Sequence, residues 1–154
     1  MAFDLEHARF TVGRLPGEHL PAIACEMLAS GLDSPALAEV AGLSHPTLRD
    51  SAELFSRALR ETGFPELTTE QAWAIVLRDV LDRISQSRVE PYAGALEVCS
   101  LWHDAGCSAD YAVFVALADE YEEHPSDRAA VATEITRVAR ELLGSLAGGC
   151  PTSR

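Results

Sequence analysis

The chain contains no lysine and no asparagine, and all twelve of its basic residues are arginine. Both missing residues have AT-rich codons, so their absence is typical of a high-GC genome. Aromatic residues make up only 6% of the sequence, which predicts a core built mainly from Leu, Ala, Val and Ile. No run approaches the roughly 18 apolar residues of a transmembrane helix. Residues 1–15 carry Asp4, Glu6 and His7 where a signal peptide needs an apolar stretch. We therefore expect a cytoplasmic protein without membrane association.

The short motifs of common catalytic and cofactor sites are also missing. There is no Gly-rich phosphate loop, no G-x-S-x-G turn and no H-E-x-x-H pair. The five histidines are scattered, and none has a nucleophile at helical spacing. These absences favour a non-enzymatic protein without a cofactor.

Four cysteines are present, and reduced thiols are the default for a cytosolic chain. Cys99 and His103 are four residues apart and share a helix face, so with Cys107 they suggest a zinc site. However, the apolar residues around Cys99 favour a buried structural cysteine, and no CxxC pair exists. A small enzyme or metal-binding protein is therefore the second alternative function. The other two cysteines are Cys25 and Cys150.

Apolar residues recur at helical spacing through most of the chain, and no strand pattern is convincing. Helix starts are indicated by Ser34-Pro35, by the capping box of Thr68 with Gln71, and by Glu90-Pro91. The pattern predicts an all-α, compact single-domain bundle of six or seven helices over residues 1–154. Residues 1–16 are compatible with a short N-terminal extended arm, and residues 148–154 are expected to be a frayed tail. The predicted helices cover residues 18–30, 35–41, a segment ending at Gly63, 69–87, 91–105, 109–123 and 127–146.

Charge is distributed very unevenly along this acidic chain, whose formal net charge is −12. No arginine lies between Arg88 and Arg128, whereas nine acidic residues do. Carboxylates at a helix C-terminus oppose the helix dipole, and like charges three or four residues apart repel. Because this clustering of negative charge lowers helix stability, it suggests a role in binding. The candidate partner-binding site therefore consists of Asp119, Glu120, Glu122, Glu123 and Asp127.

The sequence thus predicts a protein–protein interaction module that docks a basic protein through an acidic helical face. Small acidic helical proteins that neutralise a basic toxin, such as colicin immunity proteins, have this general character. A strongly negative field argues against nucleic acid as a partner. The sequence is also compatible with a homodimer.

Residues 35–51 provide the first alternative, because positions of the bacterial helix-turn-helix are matched by Ala38, Gly42, Leu43 and Leu48. This segment resembles that motif, which implies a transcription regulator. Against this, the second helix carries Asp50 and Glu53 beside Arg49, and no basic patch accompanies it. Residues 90–95 read Glu-Pro-Tyr-Ala-Gly-Ala, and the glycine in this segment permits close approach of a neighbouring helix. Together, this segment and the start of the helix-turn-helix segment resemble small uncharacterised all-helical proteins of high-GC bacteria.

Overall fold

The computed structural model describes residues 3–106 and 109–148. Its contacts group the chain into two compact units, the first ending at Ile75 and the second beginning at Val76. Within the described residues the secondary structure is entirely helical, without strands, which confirms the predicted fold class. Eight α-helices are present in these residues rather than six or seven. That the chain forms a single domain stays a prediction.

The first unit begins with α1 (Asp4–Thr11), followed by a 3-10 turn (Gly17–His19), α2 (Leu20–Ala29), α3 (Pro35–Ala41) and α4 (Leu48–Glu61). The boundary between the units falls within α5 (Thr69–Ser85). The prediction of an extended N-terminal arm over residues 1–16 is wrong for residues 4–11, which form α1. His7 and Ala8 of α1 are buried, so tertiary burial fixes a helix where the sequence has only a loose apolar alternation.

Capping groups fix several of these helix ends. The Ser34 side chain accepts a 2.9 Å hydrogen bond from the backbone of Leu37, and Pro35 occupies the first turn. Thr68 and Gln71 form the predicted reciprocal pair at the start of α5, with bonds of 2.9 and 3.2 Å. The core of the first unit consists of Leu15, Leu20, Ala24, Met27, Ala36, Leu37, Val40, Phe55, Ala58, Leu59 and Phe64.

The second unit contains the end of α5, then α6 (Pro91–Ala105), a 3-10 turn (Ala109–Tyr111), α7 (Val113–Glu123) and α8 (Arg128–Gly148). The frayed tail predicted for residues 148–154 lies outside the described residues except for Gly148, the last residue of α8. Gly94 in α6 lies against Ile84 of α5, because a Cβ there would be 2.4 Å from the Ile84 Cγ1. The expected close approach at this glycine is therefore confirmed.

Candidate functional site

Two acidic residues of the arginine-free stretch already form polar contacts within the second unit. The Glu97 carboxylate accepts a 2.7 Å hydrogen bond from Arg83, which also contacts Asp79 at 2.9 Å. Glu90 caps α6 by accepting a 2.8 Å bond from the backbone N–H of Ala93. The bond to Glu97 is the main reason that the pKa of Arg83 is raised. Arginine from α5 thus supplies part of the countercharge that the later sequence lacks.

The five predicted partner-binding residues lie at the end of α7 and in the turn before α8, and all five are exposed. Among the described residues, no arginine forms a salt bridge with any of them. Glu120, Glu122 and Glu123 occupy the last turn of α7, where the helix dipole disfavours negative charge, and Asp119 directly precedes that turn. Their charges are therefore carried without a directly paired cation in the described part of the chain.

An aromatic pair lies beside these acids. The rings of Tyr92 and Tyr121 stack with a centroid distance of 4.3 Å and an angle of 9°. The Tyr92 hydroxyl donates a hydrogen bond to Glu122, and this bond is the main cause of the raised pKa of Tyr92. The Arg128 guanidinium carbon lies 5.1 Å from the Tyr121 ring centroid, and its Nε donates to the Tyr121 carbonyl at 3.1 Å. One cation therefore stabilises the end of α7 from the start of α8.

Sequence reasoning missed this tyrosine pair and the contacts of Arg128. Tyr92 and Tyr121 are on different helices, so no spacing rule brings them together. The only available signal was the position of Arg128, which is the first basic residue after the acidic stretch.

Residues of α7, α8 and the turn between them line an open cleft of about 370 Å³, which we call the acidic cleft. Glu134 on its wall is already bonded to Arg137, whose Nε lies 2.8 Å from the Glu134 Oε2, and this bond lowers the pKa of Glu134. Glu120 and Asp127 have no such partner among the described residues. The cleft thus combines apolar lining residues with two carboxylates that have no salt bridge among the described residues. Its lining residues are Leu117, Glu120, Asp127, Ala130, Val131 and Glu134.

The segment resembling a helix-turn-helix forms α3 and α4, joined by residues 42–47. The motif usually has a turn of about three or four residues, so this connection is longer. On α4, Arg57 contacts Glu39 of α3 at 3.2 Å and Glu61 at 3.6 Å, so its charge is compensated. The DNA-binding alternative stays a prediction.

For the metal alternative, Cys107 lies outside the described residues. Burial, with a smaller contribution from Asp119, raises the pKa of the Cys99 thiol, which disfavours the thiolate that zinc requires. His103 is exposed. In residues 3–106 and 109–148, no three His, Cys, Asp or Glu side chains are grouped as metal ligands would be.

Comparisons with protein-family models, with curated proteins and with solved structures found no match to this chain. No helix in the described part of the chain has the length and apolar character needed to span a membrane. The function has to be inferred from the residues themselves, and the acidic cleft with its neighbouring tyrosines is the candidate site.

Proposed function

We propose that this protein is a non-enzymatic interaction module that docks a basic protein at the acidic cleft. The observation that carries the proposal is that Glu120 and Asp127 both line the acidic cleft without a salt-bridge partner among the described residues. A lysine or arginine side chain suits such a cleft, because its methylene groups cover apolar surface while its charged end meets carboxylates. The cleft therefore has the chemistry of a receptor for one basic side chain.

The neighbouring residues extend this surface beyond a single contact. Glu122, Glu123 and Asp119 add negative charge at the same helix end, and all are exposed. The tyrosines Tyr92 and Tyr121 are partly exposed and already held in a stack. Tyrosine is enriched in protein interfaces, where a rigid ring loses little conformational entropy on binding. A basic partner would thus find an aromatic surface beside an acidic one.

The charge of the whole chain supports the same proposal. A net charge of −12 attracts basic proteins over a distance of about 8–10 Å at physiological salt and speeds their association. Within this class, a neutralising or immunity-type protein that blocks a basic toxin is the specific form we favour. Complementary charge at such an interface contributes mainly to association rate and specificity.

The proposal is tested with a fluorescein-labelled peptide of alternating arginine and leucine, by fluorescence anisotropy. Binding should weaken steadily as salt concentration rises. The double variant Glu120→Gln/Asp127→Asn should bind about two- to thirtyfold more weakly, since each of two exposed ion pairs contributes about 0.2–1 kcal/mol.

The matched control is Glu18→Gln/Asp33→Asn, which removes the same charge from exposed positions of the first unit. If binding depends only on net charge, both double variants lose affinity equally, and the acidic cleft is not the site. If only the cleft variant loses affinity, the proposal stands.

A further inference from the structure

A second site lies in the first unit, around His7 of α1. The His7 residue is only 7% exposed, yet it lines two cavities of about 330 and 210 Å³. No described residue forms a hydrogen bond with its imidazole, whose only described polar interaction is electrostatic, with Asp4. Since no fully buried side-chain nitrogen in the described residues lacks a partner, the imidazole nitrogens keep some accessible surface, and His7 lines both cavities. The imidazole can therefore form a hydrogen bond to a ligand in these cavities.

Burial keeps this imidazole neutral at physiological pH. Burial lowers the pKa of His7, and the negative charge of Asp4 opposes this only in part. A neutral imidazole offers one donor and one acceptor. It therefore suits an uncharged polar group such as a hydroxyl.

The walls of the larger cavity are mostly aromatic and apolar. The Phe64 ring meets His7 edge to face, with centroids 5.7 Å apart, and Phe10 is held against Phe55 at 4.9 Å. A cavity of about 150 Å³ is enough for benzene. The 330 Å³ around His7 therefore accommodates an aromatic ring with a short polar arm, within the usual range of ligand pockets.

Charge on the cavity wall narrows the class of ligand. Arg60 is exposed, donates only to the Ser56 carbonyl at 3.4 Å, and has no salt bridge among the described residues. Its guanidinium can pair with a carboxylate in two parallel hydrogen bonds. Glu66 lines the same cavity, so a ligand with more than one negative charge is disfavoured.

We propose that this cavity binds a small aromatic monocarboxylate carrying a ring hydroxyl. The ring lies between Phe10 and Phe64, the carboxylate pairs with Arg60, and the hydroxyl hydrogen-bonds to the His7 imidazole. All the residues involved belong to the first unit, so the proposal is independent of the acidic cleft. A small-molecule site in an interaction module links binding of a metabolite to the stability of the first unit.

The test uses 4-hydroxyphenylacetate as the probe, titrated into the full chain and followed by NMR chemical shifts of His7, Phe10 and Phe64. Two analogues each remove one group: phenylacetate lacks the hydroxyl, and 2-(4-hydroxyphenyl)ethanol lacks the carboxylate. The probe should perturb all three residues. Removing the carboxylate should weaken binding about two- to fivefold, because Arg60 is exposed, and removing the hydroxyl about two- to tenfold.

Variants connect each ligand group to its residue. Arg60→Gln should weaken 4-hydroxyphenylacetate about two- to fivefold but leave the alcohol unchanged, whereas His7→Phe should weaken the probe but leave phenylacetate unchanged. Arg78→Gln, which removes the same charge outside the cavity lining, should have no effect. Circular dichroism checks folding, and His7→Leu replaces His7→Phe if the latter is unfolded.

Two results overturn the proposal. One is the absence of shifts at the three cavity residues with every probe at millimolar concentration. The other is an equal loss of affinity for the acid and the alcohol in Arg60→Gln, because Arg60 would then not contact the carboxylate.

Discussion

The replacement Gly94→Ala tests the close approach of α6 to α5 in the second unit. A Cβ at Gly94 would lie 2.4 Å from the Ile84 Cγ1, 2.9 Å from its Cδ1 and 3.1 Å from the Val89 Cγ1. Ile84 is fully buried, so it cannot turn aside into solvent. The added methyl group must therefore push α6 and α5 apart or force Ile84 out of its rotamer.

The size of the effect follows from two opposing contributions. Overpacking of a well-filled core costs about 1–3 kcal/mol, whereas Gly→Ala in a helix interior gains about 1 kcal/mol. Gly144→Ala in α8 is the control, since no atom lies within 4 Å of a Cβ there. Because the propensity gain is common to both, the two variants should differ in free energy of unfolding by about 1–3 kcal/mol.

The assay is urea unfolding of both variants and the wild type, monitored by circular dichroism. Gly94→Ala should be less stable than Gly144→Ala by that margin. In an Ile84→Ala background, which removes the two nearest atoms, Gly94→Ala should become neutral or stabilising. Equal stabilities for the two alanine variants in the wild-type background would refute the close approach.

Three further outcomes follow from the described contacts. Ser34→Ala should lower the free energy of unfolding by about 1 kcal/mol in denaturant titrations, because it removes the N-cap of α3. The lowered pKa of His7 means that the unfolded chain binds its proton more readily. The contribution of His7 to stability is therefore complete above its unfolded pKa of about 6.5 and decreases as pH falls toward the folded value. His7→Gln should remove this part of the dependence of unfolding free energy on pH. An unchanged dependence would contradict the argument. Iodoacetamide at neutral pH should modify the exposed Cys25 faster than the half-buried Cys99, whose pKa is raised. Asp119→Asn should speed the reaction of Cys99, as followed by mass spectrometry, and an unaltered rate would show that Asp119 has no influence on the thiol.

The helices were largely predictable because their signals are local. The cap at Ser34, the capping box at Thr68 and the glycine stop at Gly106 each determine a helix end within a few residues. The helix α1 was missed because its hydrophobic pattern is weak. Its formation depends on burial of His7 and Ala8, which is a tertiary effect that no short window of sequence contains.

The candidate site was predictable only in part, for a similar reason. The acidic residues at the end of α7 stand together in the sequence, so their charge was visible. The pairing of Glu97 with Arg83 and the stacking of Tyr92 on Tyr121 join separate helices. Likewise, the cleft formed by Glu120 and Asp127 depends on how α7 and α8 approach each other.

The most direct test of the central claim is a residue-resolved NMR titration with the arginine–leucine peptide. If the acidic cleft receives a basic side chain, the largest shifts will cluster at Glu120, Asp127, Ala130 and Val131, and they will diminish as salt is added. If the shifts are spread evenly over exposed acids, including Glu18 and Asp33 in the first unit, the peptide responds only to net charge and the cleft has no specific role.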